Sequence, residues 1–175
     1  MKKIFILFAA VGLVAFSSCE GPEGPQGPEG PEGPIYESEV FEVGPDFTEA
    51  NGYSVTFPLN PVMLSGDNIL VYELVSTGGV DTWALLPQVY YFNNGLETAQ
   101  YNYTYSYNQF RIFIKGSLAD YSQLPSSFRL GKTFRVVIII GNDGINAKKV
   151  KADYSDYDAV IAKYNIDDSN VKKIN

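Results

Sequence analysis

Residues 99–115 read AQYNYTYSYNQFRIFIK, and the alternation in this stretch decides the fold. Tyrosine occupies every second position at Tyr101, Tyr103, Tyr105 and Tyr107, with Asn102, Thr104 and Ser106 between them. A period of two predicts a β-strand that carries all four rings on one face. The next residues, Tyr107-Asn108-Gln109-Phe110, predict a tight hairpin turn, since Asn108 is able to take a positive φ. We therefore expect strands 99–107 and 110–115 to pair.

The same period extends through most of the chain after residue 35. Short runs rich in Val, Ile, Tyr and Phe alternate with turn residues, and they lie at 40–43, 53–57, 69–75, 83–92 and 133–140. Together with the hairpin they give about seven strands, which predict an all-β fold, a single antiparallel β-sandwich over residues 35–175. Residues 136–140 are apolar at every position and predict a central strand, whereas Pro87 indicates an edge or a bulge. Asn93-Asn94-Gly95 predicts a second turn.

One short helix is predicted near the C-terminus, over residues 155–164. Ser155 can cap it, and Asp156 and Asp158 fall in the first turn, where carboxylates favour the positive end of the helix dipole. The apolar stripe has helical spacing and consists of Tyr157, Val160, Ile161 and Tyr164. We expect this helix to lie against the sheet edge, and residues 171–175 are not assigned to an element.

The tyrosine row, Tyr101, Tyr103, Tyr105 and Tyr107, has two interpretations. In the first, the rings form part of the core, because the opposite Asn-Thr-Ser face cannot cover an opposing sheet. We then expect at least three of the four to be mainly buried against that sheet or the 155–164 helix. In the second, the rings form an exposed platform that stacks on sugar rings or contacts a protein partner.

The composition excludes several kinds of chemistry. The chain has no histidine and a single cysteine, Cys19, which excludes Ser-His and Cys-His nucleophile pairs and the usual zinc ligand sets. No glycine-rich nucleotide loop follows a strand. We therefore predict no enzyme activity, no cofactor and no metal. A glycoside hydrolase that uses carboxylates alone is the second alternative, since the domain is rich in acids.

Four aspartates could supply oxygen ligands to calcium, but their spacing does not match a calcium-binding loop. We interpret them as capping and turn residues: Asp143, Asp153, Asp156 and Asp158.

The first eighteen residues have the layout of an export signal. Lys2 and Lys3 precede an uncharged run from Ile4 to Phe16, and small residues lead to Cys19. This run is too short for the roughly 20 residues of a membrane-spanning helix. We expect cleavage between Ser18 and Cys19. Loss of Lys2 and Lys3 leaves 11 basic and 20 acidic residues, a net charge of −9 that disfavours nucleic acid as a partner.

Phe16-Ser17-Ser18-Cys19 resembles a lipobox, the motif of bacterial lipoprotein signals, although Phe16 stands where Leu is commoner. The resemblance implies that the Cys19 thiol receives diacylglycerol and that its new amino terminus is acylated, for example with palmitate. Three acyl chains hold a protein on a membrane very stably. Because Cys19 is the only cysteine, the monomer can form no internal disulfide.

Residues 21–34 continue as Gly-Pro triplets in the collagen pattern, and with Cys19 they form the segment 19–34. Proline never occupies the third position, and the glutamates would repel each other across three chains. We therefore expect an extended, polyproline II-like stalk of about 43 Å on a monomer, at about 3.1 Å per residue. A trimer held together through the stalk is the alternative.

The lipobox, the adjacent Gly-Pro-Glu triplets and the Tyr-rich β domain together resemble a group of collagen-like-repeat lipoproteins of bacteroidete-type Gram-negative bacteria. The run Asp153-Tyr154-Ser155-Asp156-Tyr157 is also similar to that group. The resemblance implies a cell-envelope lipoprotein of the outer membrane, facing the periplasm or the surface, and it supplies no substrate. We expect a non-catalytic domain with a structural or adhesive role and an envelope protein or glycan as partner. A carbohydrate-binding module that uses the tyrosine row is the first alternative.

Replacing the lipid-bearing residue tests the anchor. We predict that Cys19→Ala abolishes membrane retention, because no other segment of the mature chain is apolar enough to hold it. Detergent partitioning and labelling with a radioactive fatty acid measure the effect. Ser18→Ala, which keeps a small residue before the cleavage point, is the matched control and should retain its label. Acyl label that persists in the Cys19→Ala variant would contradict the lipoprotein interpretation.

Overall fold

The computed structural model describes residues 37–141 and 153–174. The predictions for the signal, Ser18, Cys19, the stalk and Asp143 lie outside the described residues. The strands are β1 (Glu39–Val43), β2 (Ser54–Pro58), β3 (Asn68–Thr77), β4 (Val80–Leu85), β5 (Gln88–Phe92), β6 (Glu97–Ser106), β7 (Gln109–Gly116), β8 (Phe134–Ile139) and β9 (Lys172–Ile174). The helices are α1 (Ser126–Arg129) and α2 (Tyr157–Tyr164). In this part of the chain, no helix has the length and apolar character that crossing a membrane requires.

The strands form two sheets, which confirms the predicted all-β sandwich. A five-stranded sheet has the order β4-β3-β8-β1-β9, and a four-stranded sheet has the order β2-β7-β6-β5. All pairs are antiparallel except β1 and β9, which run parallel. The structure thus describes nine strands rather than about seven. One of the additional strands is β9, within the C-terminal segment that the sequence left unassigned.

The run 83–92 forms two strands rather than one. It divides at Leu86 and Pro87, which are joined by a cis peptide bond and lie between β4 and β5. Proline has no backbone N–H to donate to a ladder, so pairing stops there. The prediction of an edge is confirmed for both halves, because β4 and β5 are edge strands of different sheets.

The β6–β7 hairpin forms with Ser106 opposite Gln109 and with Tyr107 and Asn108 in the turn, as predicted. Asn108 does not adopt the positive φ that asparagine tolerates, and the turn closes without it. Positive φ occurs instead at Asn93, Asn94 and Gly95, in the second predicted turn.

Strand β8 is central and apolar on both faces, as predicted. Val136 faces the core between the two sheets, where it packs with residues such as Phe41 and Ile112. Val137 faces the opposite side and belongs to a second apolar cluster with Tyr157 and Val160 of α2. The five-stranded sheet is therefore buried on both of its faces over this region.

Helix α2 differs from the prediction in two respects. It covers the outer face of the five-stranded sheet instead of an edge, because Val160 packs over Leu70, Tyr72 and Val137. It also begins at Tyr157, with Asp156 as its cap: the Asp156 carboxylate accepts a hydrogen bond from the backbone N–H of Ala159 at 3.1 Å. Ser155 is instead held in the preceding turn by Asp153.

Candidate functional site

The tyrosine row runs from the centre of the core to its end. Tyr101 is fully buried, stacks on Phe128 with ring centroids 4.4 Å apart and donates a hydrogen bond to the Phe128 carbonyl. Tyr103 is half-buried and donates to the Ile69 carbonyl at 3.1 Å. Tyr105 is 44% exposed and Tyr107 is 67% exposed. The rings therefore become more accessible toward the hairpin turn.

The expectation that at least three of these rings are mainly buried is not met. It holds for Tyr101 and Tyr103 and fails for Tyr107, and Tyr105 lies at the rim of the core. Tyr105 stacks on Tyr103 and donates to the Asn68 side chain at 3.2 Å, at the first residue of β3. Since β3 begins there, the five-stranded sheet offers no strand to cover Tyr107. The row accordingly does not present four rings as one exposed platform.

A buried ion pair closes the opposite end of the tyrosine row. Glu73, 1% exposed, faces the core between the sheets, where its carboxylate lies 2.8 Å from the Lys132 ammonium and accepts a hydrogen bond from the Tyr90 hydroxyl at 2.7 Å. Burial and the bond to Glu73 raise the pKa of Tyr90. Burial and the nearby Glu73 charge likewise raise the pKa of Tyr101. These contacts join β3 to β5 across the two sheets.

A second polar cluster lies on the outer face of the five-stranded sheet. The Arg135 guanidinium donates to Glu42 at 2.9 Å, to the Tyr157 hydroxyl at 2.8 Å and to Asp168 at 3.2 Å, and it lies 4.1 Å from the centroid of the Trp83 ring. Burial acts to lower the pKa of Arg135, but the hydrogen bonds to Glu42 and Tyr157 outweigh it and raise the pKa. The arginine ties α2 and the C-terminal segment to the sheet.

The two acidic side chains that are buried in the described part of the chain do not form a hydrolytic pair. Glu42 and Glu73 lie on opposite faces of the five-stranded sheet, and each is held by a cation. Two carboxylates that act on one glycosidic bond must face the same cleft, about 5–9.5 Å apart. This arrangement therefore gives the hydrolase alternative no support from the buried acids.

The aspartates near α2 act in turn formation and capping, as interpreted from the sequence. Asp153 accepts hydrogen bonds from the backbone N–H and hydroxyl of Ser155, which lower the pKa of its carboxyl. Asp156 caps α2. Within residues 37–141 and 153–174, no group of three or more acidic or cysteine side chains is arranged to hold a metal ion.

Within residues 37–141 and 153–174, no second layer covers the outer face of the four-stranded sheet. Residues that alternate with the core positions of β2, β7, β6 and β5 point away from the five-stranded sheet. This polar face comprises Ser54, Thr56, Val89, Tyr91, Thr98, Gln100, Asn102, Thr104, Ser106, Gln109, Arg111, Phe113 and Lys115. Most of these side chains carry a hydroxyl or an amide.

The register places β7 residues in the middle of this face. Arg111 lies between Thr56 and Thr104, whereas Phe113 lies between Ser54 and Asn102. The Arg111 guanidinium is 4.7 Å from the centroid of the Phe113 ring. A depression of about 240 Å³ beside Arg111 is lined by threonine, serine and glutamine side chains and by Tyr105. The arrangement offers hydrogen-bond donors and acceptors around one aromatic ring.

A larger groove, of about 460 Å³, lies beside β1, where the chain enters the described domain. Its apolar wall includes Leu59, Pro61 and Ile166, and Glu37 and Asp167 lie along it. The groove extends past the three residues of β9, which pair only with Phe41, Glu42 and Val43 of β1.

Comparisons of the chain with protein-family models, with curated proteins and with solved structures find no match.

The polar face was not among the candidate sites predicted from the sequence. Its central residues, Arg111, Phe113 and Lys115, alternate with Phe110, Ile112 and Ile114 within the quoted hairpin. This alternation indicates that β7 has a second face, which points to solvent. The predicted site was instead the tyrosine row, whose rings lie on the opposite face of β6.

Two tyrosine truncations test the gradient of burial along β6. Tyr103→Ala should lower the free energy of unfolding by about 2–3 kcal/mol, because it removes a largely enclosed ring and its hydrogen bond to the Ile69 carbonyl. Tyr107→Ala, the matched control, removes an exposed ring and should cost about 0.5 kcal/mol or less. Urea unfolding measures both. Equal losses in the two variants would contradict this placement of the rings.

The buried tyrosines predict a loss of stability in alkali. Burial raises the pKa of Tyr72, Tyr90, Tyr101, Tyr103 and Tyr157, so the folded chain keeps protons that the unfolded chain releases near pH 10. These tyrosines contribute their full stabilisation below pH 10. Above pH 10, each of them lowers the free energy of unfolding by up to about 1.4 kcal/mol per pH unit. Urea unfolding between pH 8 and pH 11.5 should show this decline.

Replacing Tyr101 tests whether a single buried phenol contributes to the loss of stability in alkali. Tyr101→Phe should lower stability at pH 8 by about 1 kcal/mol, since the Phe128 carbonyl loses its donor, and should make the alkaline decline shallower. Tyr107→Phe, which removes an exposed phenol, should decline like the parent. A Tyr101→Phe decline as steep as that of the parent would refute the assignment.

Proposed function

We propose that the chain is a lipid-anchored lipoprotein of the outer membrane, whose spacer presents a non-catalytic, ligand-binding β-sandwich in the cell envelope. The anchor is supported by the lipobox-like Phe16-Ser17-Ser18-Cys19 and by the export signal that precedes it. The spacer is supported by the Gly-Pro triplets of residues 21–34, which favour extended backbone. Both features indicate a domain held at a distance from its membrane.

The observation that carries a binding role is the difference between the two outer faces of the sandwich. Helix α2 packs over the outer face of the five-stranded sheet, where Val137 and Val160 are fully buried. The outer face of the four-stranded sheet is open and groups hydroxyl, amide and basic side chains around Phe113. An open sheet surface of this composition suits a hydrated, polar ligand better than a purely structural contact.

A non-catalytic role is favoured by the way the buried acids are used. Glu73 is enclosed and occupied by Lys132 and Tyr90, and Glu42 is bonded to Arg135. These contacts hold the layers together, and breaking such a buried pair typically costs about 3–5 kcal/mol. Neither carboxylate is presented to a substrate.

A carbohydrate-binding module is the second candidate, and the polar face favours it. In this form of the hypothesis the contact surface is centred on Phe113 and Arg111 rather than on the tyrosine row, because Tyr101 and Tyr103 lie in the core. Tyr105 also lines the polar depression, but its ring stacks on Tyr103 on the core-facing side of β6. An aromatic ring among hydroxyl and amide groups provides both stacking and hydrogen bonds for a sugar.

The proposal is tested with the acylated mature protein, residues 19–175, kept in detergent. We expect it to co-sediment saturably with glycan purified from the envelope and to leave that glycan intact. Bound protein is measured by immunoblotting, and cleavage is measured as new reducing ends over several hours. The same protein after thermal unfolding is the control. Accumulation of reducing ends would favour the hydrolase alternative, and absence of saturable binding to glycan or to whole envelope would overturn the binding role.

A further inference from the structure

We infer that the polar face binds an acidic polysaccharide, in which sugar carboxylates contact Arg111 and Lys115. This inference rests on the proposed binding role and specifies the chemical class of the ligand. The charge of the face, its geometry and the side chains that surround the two cations support it.

The charge of the polar face is opposite to that of the whole chain. The chain carries 20 acidic and 13 basic residues. None of the polar-face residues is acidic, and two, Arg111 and Lys115, are basic. At physiological salt, charges are screened over about 8 Å, so a bound ligand responds chiefly to the charges of this face. The face is a local site for anions on an otherwise acidic protein.

The two cations are free to bind a ligand. Lys132, Arg135 and Lys173 form ion pairs with Glu73, Glu42 and Asp168. Within the described residues, neither Arg111 nor Lys115 lies in an ion pair, and both side chains are exposed. A guanidinium fork binds a carboxylate through two parallel hydrogen bonds, which makes Arg111 the stronger of the two contacts.

The spacing of the cations suits a chain of sugars more than a single small anion. Arg111 and Lys115 are four residues apart on β7 and therefore about 13 Å apart along the strand, with Phe113 between them. One sugar ring is shorter than this backbone spacing, so we expect a ligand that contacts both side chains to be an oligosaccharide. The Arg111 guanidinium lies over the Phe113 ring, so a sugar carboxylate bound to the guanidinium is held at the centre of the face.

The neighbouring side chains favour a sugar over a protein or a nucleic acid. Thr56 and Thr104 flank Arg111, and Gln100 lies beside Lys115, so hydroxyl and amide groups surround each cation. The amide nitrogen of Asn102, opposite Phe113, is enclosed and has no hydrogen-bond partner. Of the large apolar side chains on the face, Phe113 lies at its centre, whereas Val89 and Tyr91 lie on the edge strand β5. The centre therefore lacks the cluster of apolar anchors that a protein interface typically has, and a nucleic acid would require many more cations.

The test measures binding of an oligogalacturonate, a uronic-acid oligosaccharide, to the acylated mature protein in detergent by calorimetry. We expect measurable affinity that weakens as salt is raised from 50 to 300 mM. Arg111→Gln should weaken binding at least about tenfold, the effect of losing one charged hydrogen-bonded contact. The double variant Arg111→Gln with Lys115→Gln should abolish it. Lys172→Gln removes an exposed cation outside this face and is the matched control, which should bind like the parent.

Three results would overturn the inference. A neutral galactose oligosaccharide of equal length that binds as tightly would show that the cations do not select the ligand. A poly-glutamate peptide that binds as tightly would show attraction by charge alone. Absence of oligogalacturonate binding would also refute it, and the envelope-glycan assay then decides separately whether the proposed binding role stands. Unfolding curves of each variant establish that lost binding does not reflect a lost fold.

Discussion

The burial of strand β8 on both faces is the constraint on which the rest of the structure depends. Phe134 and Val136 face the core between the sheets, and Val137 and Ile139 face the opposite side, so neither surface of the five-stranded sheet can be left in water. The four-stranded sheet covers one side. Helix α2 and the residues around it must cover the other, and Arg135 of the same strand holds that layer through Glu42, Tyr157 and Asp168.

The same constraint bears on the proposed binding role. Among the residues that the structure describes, both faces of the five-stranded sheet are covered around β8, whereas no second layer covers the outer face of the four-stranded sheet. Its strands need to bury only one face, so their other positions are free to carry polar groups. The β6–β7 hairpin shows this division directly, with Tyr101 and Ile112 in the core and Thr104 and Arg111 in solvent.

Buried polar contacts fix the layers against one another. Glu73 joins the two sheets through Lys132 and Tyr90, and the Tyr101 hydroxyl donates a hydrogen bond to the Phe128 carbonyl of α1. Such groups stabilise only when each is paired, because an unpartnered buried charge is costly. The burial that raises the pKa values of these tyrosines is the same burial that makes the packing specific.

The sequence by itself determined the period-two strands, the β6–β7 hairpin, the central position of residues 136–140 and the helix near residue 160, because each depends on local spacing. It did not determine that Pro87 separates two sheets, that α2 covers a face, or that residues 172–174 pair with β1. Those features depend on contacts between distant segments.

The tyrosine row shows most clearly what local spacing cannot predict. Alternation places its rings on one face, but the position at which β3 begins decides where the core ends and leaves Tyr107 exposed. The polar face, our proposed binding surface, likewise depends on tertiary structure, because strand register brings Thr56, Arg111 and Thr104 side by side.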